Sequence, residues 1–318
     1  MIPEFTQNLT VWFDGCFVPA SEARVSLFTH ALHYGTAIFE GIRGYWAAER
    51  REMFLVRAED HFRRWRSNCR ILGIEFPESP HRLSELAGEL VRRNRFETDI
   101  YVRPLAWRSS PRLGIYSDEN YALALLAIPF GVYIDSRQGI HACVSSWRRV
   151  EDNAIPARGK ICGSYVNSAL ATDEARRNGF QEAILLNESG HVAEGSASNI
   201  FLVRRGRLVT PGETENILEG LTRDCVIEIA RRELRLEVLE RPIDRSELYV
   251  AEEVFLTGTA VEIAPVVKID HRPVGNGQVG PITARLREIY LAACHGRLPR
   301  YQHWLQPVYH WALNRIPA

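Results

Sequence analysis

The sequence predicts a two-domain chain of the α/β (α+β) class, and three observations carry that expectation. Strand-like apolar runs alternate with helix-period segments along the 318 residues. The longest apolar run, Tyr121–Tyr133, gives way between 131 and 139 to Gly, Asp, Ser, Arg and Gln, the composition of an interdomain loop. The length suffices for one large domain or two moderate ones, and the break at 131–139 divides it into 1–130 and 140–318.

The elements follow in order. Leu9–Val18, centred on Asp14-Gly15, reads as strand, turn and strand. Ser26–Phe39 holds two histidines, a Tyr and a Gly and leads into Glu40-Gly41-Ile42-Arg43-Gly44-Tyr45. Arg57 stands at the exit of the apolar strand Phe54-Leu55-Val56. Apolar and basic residues at helical spacing run from Asp60 to Leu72, and Leu83–Arg93 is a second helix candidate. Asp99–Leu105 and Tyr121–Pro129 read as strands around a connection from Arg108 to Asn120. Beyond the interdomain loop, Ile140–Trp147 is a strand, and Ser164–Asn178 is a helix closed by Gly179. Ala183–Asn187, Asn199–Arg204 and Glu253–Thr257 are strands; Thr222–Glu233 and a segment from Pro281 or Ile282 to Ala293 are helices. Tyr301–Trp311 predicts a packed tail or a subunit contact. There is no internal repeat.

Composition excludes several function classes. Thirty-nine basic residues balance 39 acidic ones, and a pI near 7.2 gives no attraction for nucleic acid. Cys16, Cys69, Cys143, Cys162, Cys225 and Cys294 are scattered without a CxxC pair, which argues against a disulfide framework or a thiolate metal site and fits a reducing cytoplasm. The N-terminus lacks a signal-peptide pattern, and the longest apolar run is too short for a bilayer, so no membrane partner is expected. No GxGxxG, P-loop or HExxH motif occurs. His30 and His33 have no companions that would complete a metal site and read as structural.

The chemical candidates each have two readings. Lys160, in Gly159-Lys160-Ile161-Cys162-Gly163-Ser164-Tyr165, is either a surface lysine or an amine that condenses with an aldehyde cofactor. Tyr165 is a core aromatic or a donor to a phenolic oxygen. Glu194, in Glu194-Gly195-Ser196-Ala197-Ser198-Asn199, is a turn carboxylate or the partner of a pyridine nitrogen. Gly220-Leu221-Thr222-Arg223-Asp224 and Gly258-Thr259-Ala260 suit either plain capping or an anion cradle. Arg57 fits a solvated strand end or a phosphate clamp.

These stretches together resemble the branched-chain amino acid aminotransferases, members of the fold-type IV pyridoxal-phosphate enzymes. The landmarks begin with Trp12-Phe13-Asp14-Gly15, His30-Ala31-Leu32-His33-Tyr34-Gly35-Thr36, Phe39-Glu40-Gly41-Ile42-Arg43 and Tyr101-Val102-Arg103-Pro104. They continue through Lys160, Glu174-Ala175-Arg176-Arg177-Asn178-Gly179, Glu194-Gly195 and Gly220–Asp224 to Thr257–Ile263. The resemblance implies a smaller N-terminal α/β domain, a larger C-terminal pseudo-barrel domain, and pyridoxal 5′-phosphate between them, passing through its pyridoxamine form. It implies that Lys160 carries the cofactor covalently, Glu194 pairs with the ring nitrogen, and Tyr165 bonds its O3′. Arg57, Leu221, Thr222 and Thr259 hold the phosphate by the same resemblance.

On the substrate side, the resemblance implies that Phe39, Gly41, Tyr133 and Tyr165 line the pocket for an aliphatic side chain. Tyr34 and the loop Leu113-Gly114-Ile115 come from a neighbouring subunit. Tyr101, Arg103, Thr259 and Ala260 recognise carboxylates, Arg103 serving glutamate and 2-oxoglutarate. The expected reaction is amino transfer between branched-chain L-amino acids and 2-oxoglutarate in a cytoplasmic homodimer or assembly of dimers. Alternatives of the same fold are a D-amino acid or (R)-amine aminotransferase or an aminodeoxychorismate lyase; a remote one is a non-catalytic small-molecule binder. Glu219 departs from the usual proline before the phosphate-binding turn and must face away from the phosphate. Thr257 replaces a common serine, and Arg108 and Arg112 add charge near the substrate loop.

Overall fold

The computed structural model describes residues 8–116, 119–132 and 134–309. The chain divides into two compact units. The first takes the chain to Gly131, Lys160–Gly163 and the residues from Ala292; the second takes Val132–Gly159 and Ser164–Leu291.

In the first unit, β1 (Thr10–Phe13) and β2 (Cys16–Pro19) make the expected hairpin. Its turn puts Asp14 at φ 45° and Gly15 at φ 95°, the left-handed pair that matches strand twist. A short helix α1 (His30–Tyr34) precedes β3 (Ala37–Phe39), β4 (Ile42–Ala47) and β5 (Glu52–Val56). Helix α2 (Ala58–Ile71) buries Phe62, Trp65 and Cys69 on one stripe. Helix α3 (Pro80–Asn94) starts where the Ser79 hydroxyl accepts from the Arg82 N–H and Pro80 takes the first helical position; such a cap contributes about 1 kcal/mol. Its buried Leu83, Leu86, Ala87, Leu90 and Val91 follow the helical period that made it legible. Strands β6 (Ile100–Arg108) and β7 (Tyr121–Pro129) then pair over nine residues.

The described strands of this unit form an antiparallel sheet in the order β5-β4-β6-β7-β1-β2, with β3 also on β6. The pairing of β3 and β4 with β6 is interrupted opposite Pro104, which has no N–H to give. Glu40 and Gly41 sit in that gap, the Glu40 N–H bonding to the Pro104 carbonyl at 2.9 Å.

The second unit begins with β8 (Ile140–Arg148), α4 (Tyr165–Arg177), β9 (Glu182–Leu186) and β10 (Val192–Gly195). It continues with β11 (Asn199–Arg204), β12 (Arg207–Thr210), α5 (Leu221–Arg232) and β13 (Val238–Glu240). Strands β14 (Glu253–Gly258), β15 (Glu262–Ile269) and β16 (Arg272–Pro273) and helix α6 (Pro281–Cys294) complete it. The sheet runs β10-β9-β8-β15-β14-β11-β12-β13 with β16 on β15; β8 is parallel to both β9 and β15. Its core is a layer of Ile184, Val192, Ile200, Leu202, Leu256 and Val266, while Phe201 and Phe255 stack with ring centres 5.1 Å apart.

The expected α+β class holds. Strands β3, β4, β10, β12, β13 and β15 have no counterpart among the expected elements. The tail is packed: Tyr301 and Trp304 are buried, and β17 (Leu305–Pro307) pairs with β5 in the first unit. Trp311 lies outside the described residues.

Candidate active site

Five of the residues singled out in the sequence meet in the first unit. The segment Lys160–Gly163 runs beside Gly35–Phe39: the Phe39 N–H bonds to the Lys160 carbonyl at 3.1 Å, Ile161 bridges Ile38, and the Gly163 N–H bonds to the Gly35 carbonyl at 3.1 Å. Gly35 allows this approach, because a Cβ there would lie 2.7 Å from the Gly163 Cα. Lys160 Nζ lies 4.7 Å from the Phe39 ring centre, and the Arg103 guanidinium lies 4.4 Å from the same ring. Arg103 Nη2 donates to the Tyr101 hydroxyl at 3.3 Å, while its buried Nε has no partner among the described residues. The Tyr101 hydroxyl occupies the space a Gly41 side chain would need, so only glycine fits at 41. A primary amine, an aromatic wall and a guanidinium with unused donors therefore share one site.

Behind this wall is a cluster that the sequence reading missed. Glu40, fully buried at 0% exposure, accepts from Arg64 Nε at 2.7 Å, Arg64 Nη2 at 3.0 Å, His61 Nδ1 at 2.8 Å and the Gly41 N–H at 3.0 Å. Burial alone would raise its pKa, but the charge of Arg64 and the bonds from His61 hold the carboxyl far below its ordinary range. Burial lowers the His61 pKa, and the charges of Arg64 and Lys160 push the same way against Glu40. A carboxylate inside an apolar run, with basic residues at i and i+3 on a helix, is the available signal.

Arg57 caps α2 in a left-handed conformation (φ 50°); its Nε bonds to Asp60 at 2.7 Å and its N–H to the Trp304 carbonyl at 2.6 Å. Tyr34 and Ile115 are both tied to the segment from His30 to Tyr34 and its facing loop. The Tyr34 hydroxyl accepts from the Gly114 N–H at 3.0 Å, and His30 Nε2 lies 3.3 Å from the Ile115 carbonyl. His30 and His33 are structural, bonding to Thr36 and the Leu27 carbonyl. Around them Leu27 (79% exposed), Phe28, Leu32, Leu113, Ile115 (87%) and Tyr116 form an exposed apolar surface.

The remaining candidates lie in the second unit. Glu194 is buried on β10. Its Oε1 accepts from Arg149 Nε at 2.8 Å, and its Oε2 from Asn199 Nδ2 and the Leu218 N–H, both at 3.1 Å. Asn199 also holds the Leu218 carbonyl at 2.8 Å, and its side-chain oxygen fills the space a Gly220 Cβ would need. Asn199 thereby ties Glu194 to the start of α5, which carries Leu221 and Thr222. Pairing of Asn199 with Thr257 brings in the turn after β14, where Thr259 and Ala260 sit. Tyr165 opens α4 and is half-buried. Arg149 and Asn199 were missed as site residues; Arg148-Arg149 at a strand exit was the local trace of the former. Tyr133 lies outside the described residues.

These groups fit a phosphate-bearing pyridine. Helix α5 opens on Gly220 with no side-chain cap, leaving first-turn N–H groups suited to an anion. The hydroxyls of Ser198 and Thr257 are buried without a partner among the described residues. Glu219 does turn outward: it is exposed and bonds to Arg158 at 3.0 Å. Arg108 is buried, Nη2 donating to the Leu72 carbonyl at 2.6 Å, so it belongs to the packing of β6. Arg112 is exposed and bonds to the Tyr116 hydroxyl. Among the described residues no three His, Cys, Asp or Glu side chains are grouped to hold a metal ion, and no helix is long and apolar enough to cross a membrane.

Residues 37–269 match the family model for amino-transferase class IV. The chain is 48% identical over 313 residues to a probable branched-chain-amino-acid aminotransferase of Aquifex aeolicus, covering 97% of this chain and 99% of that one. It is similar to the branched-chain aminotransferase of Thermoproteus uzoniensis crystallised with norvaline: TM-score 0.90, 43% identity, 95% of this chain and 99% of that one. A T.th. branched-chain amino acid aminotransferase complexed with N-(5′-phosphopyridoxyl)-L-glutamate superposes at TM-score 0.88 with 44% identity over 94% of this chain and 98% of that one. A family match over most of the chain, relatives of equal length and the same fold leave one placement: the chain belongs to the class IV aminotransferases, among the branched-chain-amino-acid aminotransferases.

Proposed function

We propose that this chain transfers the amino group of leucine, isoleucine and valine to 2-oxoglutarate, using pyridoxal 5′-phosphate carried on Lys160. The observation that carries the reading is the amine of Lys160 and the fork of Arg103 sharing the Phe39 ring. Beside Gly41 and Tyr101, an aliphatic side chain finds an apolar wall and an acidic one finds a cation.

When bound, the cofactor supplies an aldehyde for amine exchange and a ring that takes up the electron pair left at Cα. Lys160 Nζ would hold the cofactor and, once freed, would be the group that accepts and gives back the proton at the substrate's Cα. Glu194, held by Arg149, Asn199 and the Leu218 N–H, would accept from the ring N–H, and Tyr165 would bond the phenolic oxygen. The family resemblance assigns phosphate contacts to Arg57, Leu221, Thr222 and Thr259 and carboxylate contacts to Tyr101 and Ala260. The similar T.th. protein, crystallised with a phosphopyridoxyl-glutamate adduct, supports both the cofactor and the acidic partner.

A panel of half-reactions followed by cofactor absorbance tests the reading. L-Leucine, L-isoleucine, L-valine and L-glutamate should react, and D-alanine and (R)-1-phenylethylamine should not. Reaction with D-alanine but not L-leucine would overturn it.

A second copy of the chain is the proposed cover for the apolar surface around Tyr34 and Ile115. Leu32→Asp is expected to shift the protein to monomers in sedimentation equilibrium and to cut turnover, since the loop then no longer reaches a partner's pocket. A dimer of unchanged stability in that variant would refute the placement. The free cysteines and the lack of a membrane-crossing helix among the described residues are compatible with a cytoplasmic enzyme.

A further inference from the structure

A fully buried charge that touches no reactant calls for an explanation. Two side chains and a backbone amide converge on Glu40, and apolar residues of the same volume would fill that space at no desolvation cost. What apolar residues could not do is fix direction. The Gly41 N–H finds its acceptor in the Glu40 carboxylate, the Glu40 N–H in Pro104, and the Phe39 N–H in Lys160, so every amide of Phe39-Glu40-Gly41 is held. On the other side, His61 and Arg64 lie one turn apart on α2, the helix that Arg57 caps; the His61 N–H bonds to the Arg57 carbonyl at 3.0 Å. Trp65 adds a further tie from α2 to β3, its Nε1 donating to the Ile38 carbonyl at 3.3 Å. Arg57 and His61 are four residues apart on a rigid helix with a rise of about 1.5 Å per residue.

We infer that Glu40, His61 and Arg64 are positioning residues that lock the Phe39–Gly41 wall and the Lys160 backbone in register with Arg57. The inference deepens the proposed function and rests on its reading of Arg57 as a phosphate ligand and Phe39 and Gly41 as pocket wall. A carboxylate held by fixed donors in a dry site is stiff, and a small shift in such a wall is felt by the reacting groups.

Three measurements on the purified full chain test this: cofactor dissociation constant by absorbance titration, kcat and KM for the L-leucine half-reaction, and melting temperature. Glu40→Gln is expected to fold, to weaken pyridoxal 5′-phosphate binding about tenfold and to lower kcat/KM for L-leucine by about 10–100-fold, since misplacement near 1 Å costs that much. The triple variant Glu40→Leu, His61→Leu, Arg64→Met separates positioning from stability. It should melt at or above the wild-type temperature yet keep the kinetic and binding defects. Wild-type constants in either folded variant would overturn the inference. If neither folds, Arg64→Lys, which keeps the charge and loses the fork, should show a several-fold loss; unchanged constants there would also overturn it. Arg57→Met is the control for the underlying reading. Wild-type cofactor affinity in that variant would refute the phosphate assignment, while the effect of Glu40→Gln on KM for L-leucine would still report on the wall.

Discussion

Lys160→Ala is expected to abolish covalent attachment of the cofactor and to lower turnover by about 10⁴-fold or more, because nucleophile and proton carrier are lost together. The fold should survive. The Lys160 carbonyl accepts from the Phe39 N–H, and alanine keeps that bond. The melting temperature of the cofactor-free variant should therefore stay close to wild type, while borohydride reduction leaves no adduct on the chain. Retention of the wild-type visible spectrum would remove Lys160 from its role.

The second large effect concerns choice of partner. Among the described residues no Asp or Glu pairs with Arg103, whose contacts are the Phe39 and Tyr101 rings and the Tyr101 hydroxyl. Its fork is thus available to a carboxylate. Arg103→Met should lower kcat/KM for 2-oxoglutarate by about 10²-fold, near 3 kcal/mol, because a desolvated carboxylate is left without its cation. The L-leucine half-reaction should change by less than about tenfold, since methionine keeps the wall apolar. Equal losses for both would mean that Arg103 serves only the α-carboxylate they have in common.

Local periodicity explains most of what the sequence revealed. Helices α2 and α3 carry 3.6-residue patterns, and strands β6 and β7 are mostly apolar runs bounded by turn residues, so their limits are legible to within a few residues. Strands β3, β12 and β13 are three or four residues long, and no period can show in so few positions. Several candidate residues stood out in the sequence because the proposed chemistry calls for rare groups in company: Lys160 among small residues, Glu194 before a glycine, Thr222 two places after one. Their supports were not. Glu40 meets His61 and Arg64 across 21 and 24 positions, and Arg149 meets Glu194 across 45. Such pairing is created by strand and helix packing, and composition near either partner does not record it.

The return of β17 to the edge strand β5 bears on synthesis. The backbone of Val308 donates to the Glu52 carboxylate across 256 positions, and Trp304 supplies the carbonyl that steadies Arg57. On a ribosome, most of the first unit emerges early but waits for all of the second to be translated before its edge is closed. Until then β5 presents a bare edge to solvent, a strand that chaperones or stray chains can engage. The Arg57 N–H meets the Trp304 carbonyl only after closure, so a chain arrested before Trp304 leaves the ribosome without that brace on the turn into α2.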